Sequence, residues 1–223
     1  FKFPTETVDL PSKGLIYPKE HILHNGKIEI KYMTAKEEDI LTNQAYINNG
    51  TVIDKLIDSV IVSKGVNHKD LIVGDKNAVM IATRILGYGA DYTVTVGGEQ
   101  HQIDLGKIEN KEFDTTLITI GENEFSFKLP HSKIDITYKI LNGLDEDKIQ
   151  REVQGLKKLN KNSSAELSTR MKYMILSVNG DSEKKTVREF VDQMFLARDA
   201  RAFREHIKTT SPDVDLSYVL DSG

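Results

Sequence analysis

Six histidines offer the first chemistry to weigh: His21, His24, His68, His101, His131 and His206. Imidazoles ligate metals when two or more converge with carboxylates or thiolates. Only His21 and His24 lie close, at i and i+3, in a stretch flanked by Pro18 and Gly26 and without a carboxylate cluster. That spacing reads as a surface pair. His101, beside Gly97-Gly98-Glu99, reads as part of a hairpin turn. Carboxylates cluster at Glu37-Glu38-Asp39 and Asp145-Glu146-Asp147. Each cluster opens an expected helix, where acidic groups complement the positive helix end without any catalytic role. Asp145-x-Asp147 lacks the rest of a calcium loop. No G-x-S-x-G nucleophile elbow occurs. Gly87-Tyr88-Gly89-Ala90 follows an expected helix, not a strand, and no Gly-Lys-Ser/Thr follows it, so it reads as a helix stop and not a phosphate loop. Cysteine is absent, which removes thiolate zinc sites, iron–sulfur clusters, disulfides and a cysteine nucleophile. Asn49-Gly50-Thr51 and Asn162-Ser163-Ser164 match the glycosylation sequon by coincidence, because no secretory signal accompanies them. The expectation is therefore a protein that is not an enzyme and has no catalytic residues, no cofactor and no metal.

Two groups remain as candidate partner-binding residues. Arg198, Arg201 and Arg204, continued by Lys208, fall at i, i+3, i+6 and i+10 and form one drifting helical stripe. Such a stripe binds a phosphate or an acidic partner, or is simply a solvated face paired with Asp199 and Glu205. The second group is an N-terminal arm, Val8 to Tyr17, whose Leu10, Leu15, Ile16 and Tyr17 are costly to leave in water. Pro4, Pro11 and Pro18 argue against a long helix or central strand there. The arm either docks on a neighbour or folds back on its own helices, and the sequence leaves both open.

The elements that must position these residues follow from periodicity. Asn25-Gly26 signals a hairpin turn, and Lys27 to Met33 alternates as a half-buried strand. Thr34-Ala35-Lys36-Glu37 is a capping box opening a helix to about Asn48. A second helix runs from Thr51 to about Ser63, and a third, capped by Asp75, from Lys76 to Leu86. The period changes near Tyr92. Tyr92 to Val96, Gln102 to Leu105, Thr115 to Ile120, Phe125 to Leu129 and Ile134 to Leu141 read as strands of a small antiparallel sheet. Helices return at Asp145 to Leu159, after Ser164-Ala165-Glu166-Leu167 to near Ser177, at Thr186 to Leu196 and at Ala197 to Ile207, with a loop over Asn160 to Ser164. Asp213 to Leu220 reads as a terminal strand or arm. The fold class expected is α+β, with an extended arm (1–26), a strand plus three-helix unit (27–90), a central antiparallel β insertion (91–142), a C-terminal helical part (143–212) and a C-terminal arm (213–223).

A net charge of −4 over 223 residues argues against non-specific nucleic-acid binding, which needs a basic surface, and leaves room for a local patch. No apolar run approaches the roughly 20 residues of a membrane span. No signal-peptide core follows Phe1-Lys2-Phe3-Pro4, which fits a reducing cytoplasm.

Several segments carry a family likeness. They are Leu10-Pro11-Ser12-Lys13-Gly14-Leu15-Ile16-Tyr17, Ile28 through Leu41 (IEIKYMTAKEEDIL), Asp70 through Ala78 (DLIVGDKNA) leading into Arg84-Ile85-Leu86-Gly87-Tyr88-Gly89, and Phe127-Lys128-Leu129-Pro130 followed by Ile136 through Gly143 (ITYKILNG). Their order, from about residue 8 to 216, resembles the baseplate proteins of T4-like bacteriophages, described as baseplate hub or hub-assembly proteins. Similar phage proteins carry a Cys-x-x-Cys knuckle where this chain has Val96-Gly97-Gly98-Glu99-Gln100-His101, so a tight turn is expected in place of a metal-held one. The resemblance implies virion assembly through protein surfaces, with other phage baseplate or hub proteins, or further copies of the chain, as partners, and no nucleic acid or membrane. It places the chain in the host cytoplasm during assembly and in the tail baseplate. A transient assembly chaperone absent from the finished particle is the alternative. A hydrolytic hub component is a second, disfavoured by the missing acid pair in an aromatic-rich context.

Overall fold

The computed structural model describes residues 3–162 and 164–217. Its elements are β1 (Thr5–Asp9), β2 (Lys27–Lys31), α1 (Ala35–Leu41), α2 (Gln44–Asn49), α3 (Val52–Val60), α4 (Val73–Tyr88), β3 (Asp91–Val96), β4 (Glu99–Asp104), β5 (Phe125–Lys128), β6 (Asp135–Tyr138), α5 (Gly143–Leu159), α6 (Glu166–Met174), β7 (Ile175–Val178), α7 (Lys184–Glu189) and α8 (Ala197–Thr210). The fold is α+β, as expected. Two hydrophobic cores organise it.

The first core is built on β2. Its alternation turns Ile28 and Ile30 inward and leaves Lys27 and Glu29 outside. β1 pairs with it antiparallel, Thr5 opposite Lys31 and Asp9 opposite Lys27. The residues between the two strands do not extend into solvent. They fold over the core, where Leu10, Ile16, Tyr17 and Leu23 pack with Ile57, Val60, Leu71 and Val79. Gly14 and Gly26, both at positive φ, let two backbone runs touch. A Cβ on Gly14 would lie 2.4 Å from the His24 carbonyl oxygen, and one on Gly26 would lie 2.6 Å from that of Lys13. Asn25-Gly26 is thus not a two-residue hairpin turn but the left-handed end of a short 3₁₀ turn, Ile22–Asn25.

The helix expected over 34–48 is two helices. Asn43 interrupts it, because its side chain accepts the Tyr46 N–H (3.1 Å) and caps α2. Thr34 and Glu37 do form the capping box of α1. Asp75 sits inside the first turn of α4 and not at its N-cap, which is Ile72.

The single central sheet is corrected. β3 and β4 form a separate hairpin closed by Gly97-Gly98, and His101 lies in β4 opposite Val94, past the turn. Thr115 to Ile120 is no strand. Asp114 accepts the Thr116 N–H (2.9 Å) and hydroxyl (2.6 Å), which winds Thr115–Leu117 into a 3₁₀ turn. β5 pairs with β6 and β6 with β7, a strand that arises where the helix expected to run to Ser177 ends at Met174. The 91–142 segment accordingly divides: β5 and β6 join β7 in the second core, while Ile140 packs in the first.

That body is the second core. Leu129, Ile136 and Tyr138 of the sheet region pack with Ile149, Met171, Phe190 and Phe203 from the helices. Tyr138 meets Phe203 edge-on at 5.1 Å between ring centroids. After α7, residues Phe190–Met194 widen into a π turn. Asp199, buried in α8, holds the turn after β5 by accepting the backbone N–H groups of His131 (2.8 Å) and Ser132 (3.0 Å). The two bodies meet where residues 67–73 pass the start of α5. Gly143 N–H donates to the Leu71 carbonyl (3.0 Å) and Val73 N–H to that of Leu141 (3.3 Å). Past α8, Lys111 N–H donates to the Asp213 carbonyl (2.8 Å), and Val214 bridges Asn110. The rest of the expected terminal strand, from residue 218, and the loop residue Ser163 lie outside the described residues. Among the described residues, no helix is long and apolar enough to cross a membrane.

Candidate functional site

The first candidate partner group is not a free arm. Leu10 is 1 % exposed, Ile16 and Tyr17 are buried, and Leu15 is half-buried. A buried carboxylate fastens the segment. Asp75 accepts the Ser12 N–H (3.0 Å), the Ser12 hydroxyl (2.6 Å) and the Tyr17 hydroxyl (2.7 Å), and the Tyr17 oxygen in turn accepts the Ile72 N–H (3.1 Å). Burial pushes the Asp75 carboxyl above the usual carboxylate range, with the Ser12 and Tyr17 donors pulling it back. Burial, aided by the Asp75 charge, pushes the Tyr17 phenol far up. The reading of this segment as a partner-binding arm is corrected: its apolar side chains are core.

The second group is exposed. Arg198, Arg201 and Arg204 line the outer face of α8. The expected pairing with Asp199 fails, because that carboxylate faces inward to the 131–132 turn. Among the described residues none of the three arginines has an ion pair. Arg204 alone of them reaches a groove of ≈ 460 Å³ between α4, α6, α8 and the segment after α8. Arg198 and Arg201 lie outside it.

The groove was not legible in the sequence, because its walls come from distant segments. Its floor is Ile140, Leu141, Met171 and Met174. Its rim exposes Val73 (40 %), Leu167 (47 %) and Leu216 (62 %). The cations beside this apolar strip differ in availability. Arg170 is held by Glu146 and Glu166, and Lys111 donates to the Lys208 carbonyl (2.6 Å). Arg204 and Lys208 have no ion-pair partner among the described residues. The arrangement can seat an apolar segment and meet negative charge along one side.

A second constellation was also missed. His68 sits at the junction of the two bodies. Its Nδ1 lies 2.8 Å from Asp58 Oδ2, and its N–H donates to Asp58 Oδ1 (2.7 Å). Its Nε2 faces Asp147 Oδ2 at 3.4 Å and Asp54 Oδ2 at 3.8 Å. Lys76 pairs with the other oxygen of Asp54. Three of the other histidines serve local structure. His21 accepts the Leu23 N–H (3.1 Å), His24 bonds the Tyr17 carbonyl (2.9 Å), and His206 lies 2.9 Å from the Tyr138 hydroxyl and stacks on Phe127. Burial holds the His206 imidazole below its ordinary value.

No protein-family model, curated protein or solved structure matches this chain.

Proposed function

We propose that this protein is a non-enzymatic component of a T4-like phage tail baseplate hub, which acts in baseplate assembly by binding neighbouring baseplate proteins. The observation that carries the reading is the apolar groove beside α8, with Val73, Leu167 and Leu216 exposed next to Arg204 and Lys208, cations without an ion-pair partner among the described residues. A contiguous apolar strip with one charged edge costs solubility unless something covers it. An apolar segment carrying carboxylates fits both features. The likeness of the segments around Leu10–Tyr17, Ile28–Leu41 and Asp70–Ala78 to baseplate hub proteins supplies the biological setting. The segments that carry the likeness are mainly those that build the first core, so they support the framework, and the groove supplies the contact surface.

The test is co-expression with the hub proteins of a T4-like phage, followed by size-exclusion chromatography. A stable complex is expected with the unaltered chain. Leu167→Glu combined with Arg204→Glu should abolish it while leaving the circular dichroism spectrum unchanged. Failure of the unaltered chain to join any hub protein would refute the proposal. Mass spectrometry of finished particles against assembly intermediates separates a resident subunit from a transient chaperone.

A further inference from the structure

We propose that Asp54, His68 and Asp147 bind a divalent metal ion of the zinc class, which clasps α3 of the first body to α5 of the second. The geometry separates two kinds of contact around one imidazole. At Nδ1 the 2.8 Å distance to Asp58 is an ordinary hydrogen bond. With Nδ1–H donating there, Nε2 carries its lone pair toward Asp54 and Asp147. Those oxygens stand at 3.8 Å and 3.4 Å, too long for good hydrogen bonds. They are spaced as ligands are. Zinc bonds of about 2.1 Å in a tetrahedron place donor atoms about 3.4 Å apart. All three donor atoms lie within 4.8 Å of one another. Asp58 then holds the position that a carboxylate takes behind a metal-bound histidine, fixing its tautomer and orientation.

Charge and burial point the same way. His68 is 9 % exposed, yet its Nε2 has no partner closer than 3.4 Å. Three carboxylates converge on it, and among the described residues Lys76 is the one lysine that pairs with them, while Lys55, Lys69 and Arg151 line the cavity beyond. With a neutral imidazole the directly paired groups, three carboxylates and Lys76, carry a surplus of negative charge, which a divalent cation offsets. The donors open onto a cavity of ≈ 580 Å³ whose wall includes Thr51 and Gln150, so an ion has a way in and water has room for the fourth position. The competing arrangement is a protonated His68 paired to the same carboxylates with no ion at all.

The experiment uses the full chain, stripped with a chelator and dialysed, and zinc chloride as the probe. Titration calorimetry should show one ion per chain. At a hundredfold excess over Kd, the melting temperature should rise by about 5–10 °C. Cobalt(II) in place of zinc should give the visible absorption of a four-coordinate site, a readout that needs no variant. His68→Gln and Asp147→Asn should each remove the thermal shift. Asp58→Asn, which leaves all three ligands in place, should weaken binding about 10- to 100-fold. Absence of stoichiometric binding to the unaltered chain would overturn the proposal. So would binding that persists unchanged in His68→Gln, which would mark adventitious surface sites.

Discussion

Glu37→Gln isolates a buried charge that the sequence presents only as a capping residue. The Glu37 side chain is 0 % exposed and receives four donors. Lys31 Nζ and Ser59 Oγ each lie 2.6 Å from Oε1, while Thr34 Oγ1 (2.7 Å) and Thr34 N–H (2.8 Å) bond Oε2. Burial pushes the carboxyl up, but Lys31, Ser59 and Thr34 together outweigh it and bring it from 4.5 down to about 2. A carboxyl depressed in the folded state contributes stability that is fully present above its unfolded value. That contribution is lost as pH falls from about 4.5 toward 2. At about 1.4 kcal/mol per pH unit, the difference is on the order of 3 kcal/mol at neutral pH. For a chain of this size, that corresponds to roughly 6–12 °C in melting temperature. Urea unfolding followed by circular dichroism, at pH 7 and at pH 3, measures it in both proteins. The gap between the unaltered chain and Glu37→Gln should be large at pH 7 and should shrink markedly at pH 3. An equal gap at both values would refute the electrostatic account and assign the cost to shape alone.

The folded-back N-terminal segment predicts that Leu10→Ala lowers stability by about 2–5 kcal/mol. Tyr17→Phe, which strips a donor from buried Asp75 and an acceptor from Ile72 N–H, should cost about 1–3 kcal/mol. Thermal melts that leave both variants at the unaltered temperature would return the segment to the role of a free arm. The junction between the bodies predicts an inverted glycine effect. Alanine normally improves on glycine in a helix by up to about 1 kcal/mol. At Gly143 the new Cβ would lie 2.1 Å from the His68 carbonyl oxygen, and at Gly74 it would lie 1.9 Å from that of Pro212. Both Gly→Ala variants should therefore melt several degrees lower, consistent with an overpacking cost of about 1–3 kcal/mol, and a higher melting temperature would show that the junction is loose.

The fold was legible where a local signal decides the backbone. The alternation of Lys27 to Lys31, the capping box at Thr34 and Glu37, and the Gly97-Gly98 turn each became what the residues dictate. It was illegible where a single side chain redirects a pattern. Asn43 splits one periodic stretch into α1 and α2, and Asp114 turns a strand-like run into 3₁₀. β7 shows a third limit. Ile175 to Val178 continues the apolar spacing of α6, and only its pairing with β6 makes it a strand, so nothing local in the sequence marks the change.

The candidate sites obey the same division. The arginine stripe is a property of one helix, and its exposure was readable from spacing alone. What Arg204 faces was not, because the groove takes its apolar walls from α4, α6 and the segment after α8. His68 could be counted but not placed, since Asp54 and Asp147 reach it from different bodies. Both features depend on one short run of chain. His68 opens it at the acidic cluster, Leu71 accepts the Gly143 N–H in its middle, and Val73 closes it at the rim of the groove. That run packs into the first core through Leu71 and Ile72 and hydrogen-bonds to Leu141 and Gly143 at the start of the second body. A substitution that separates the bodies, such as Gly143→Ala, whose new Cβ presses on the His68 carbonyl oxygen, therefore disturbs the donor set at one end and the apolar rim at the other.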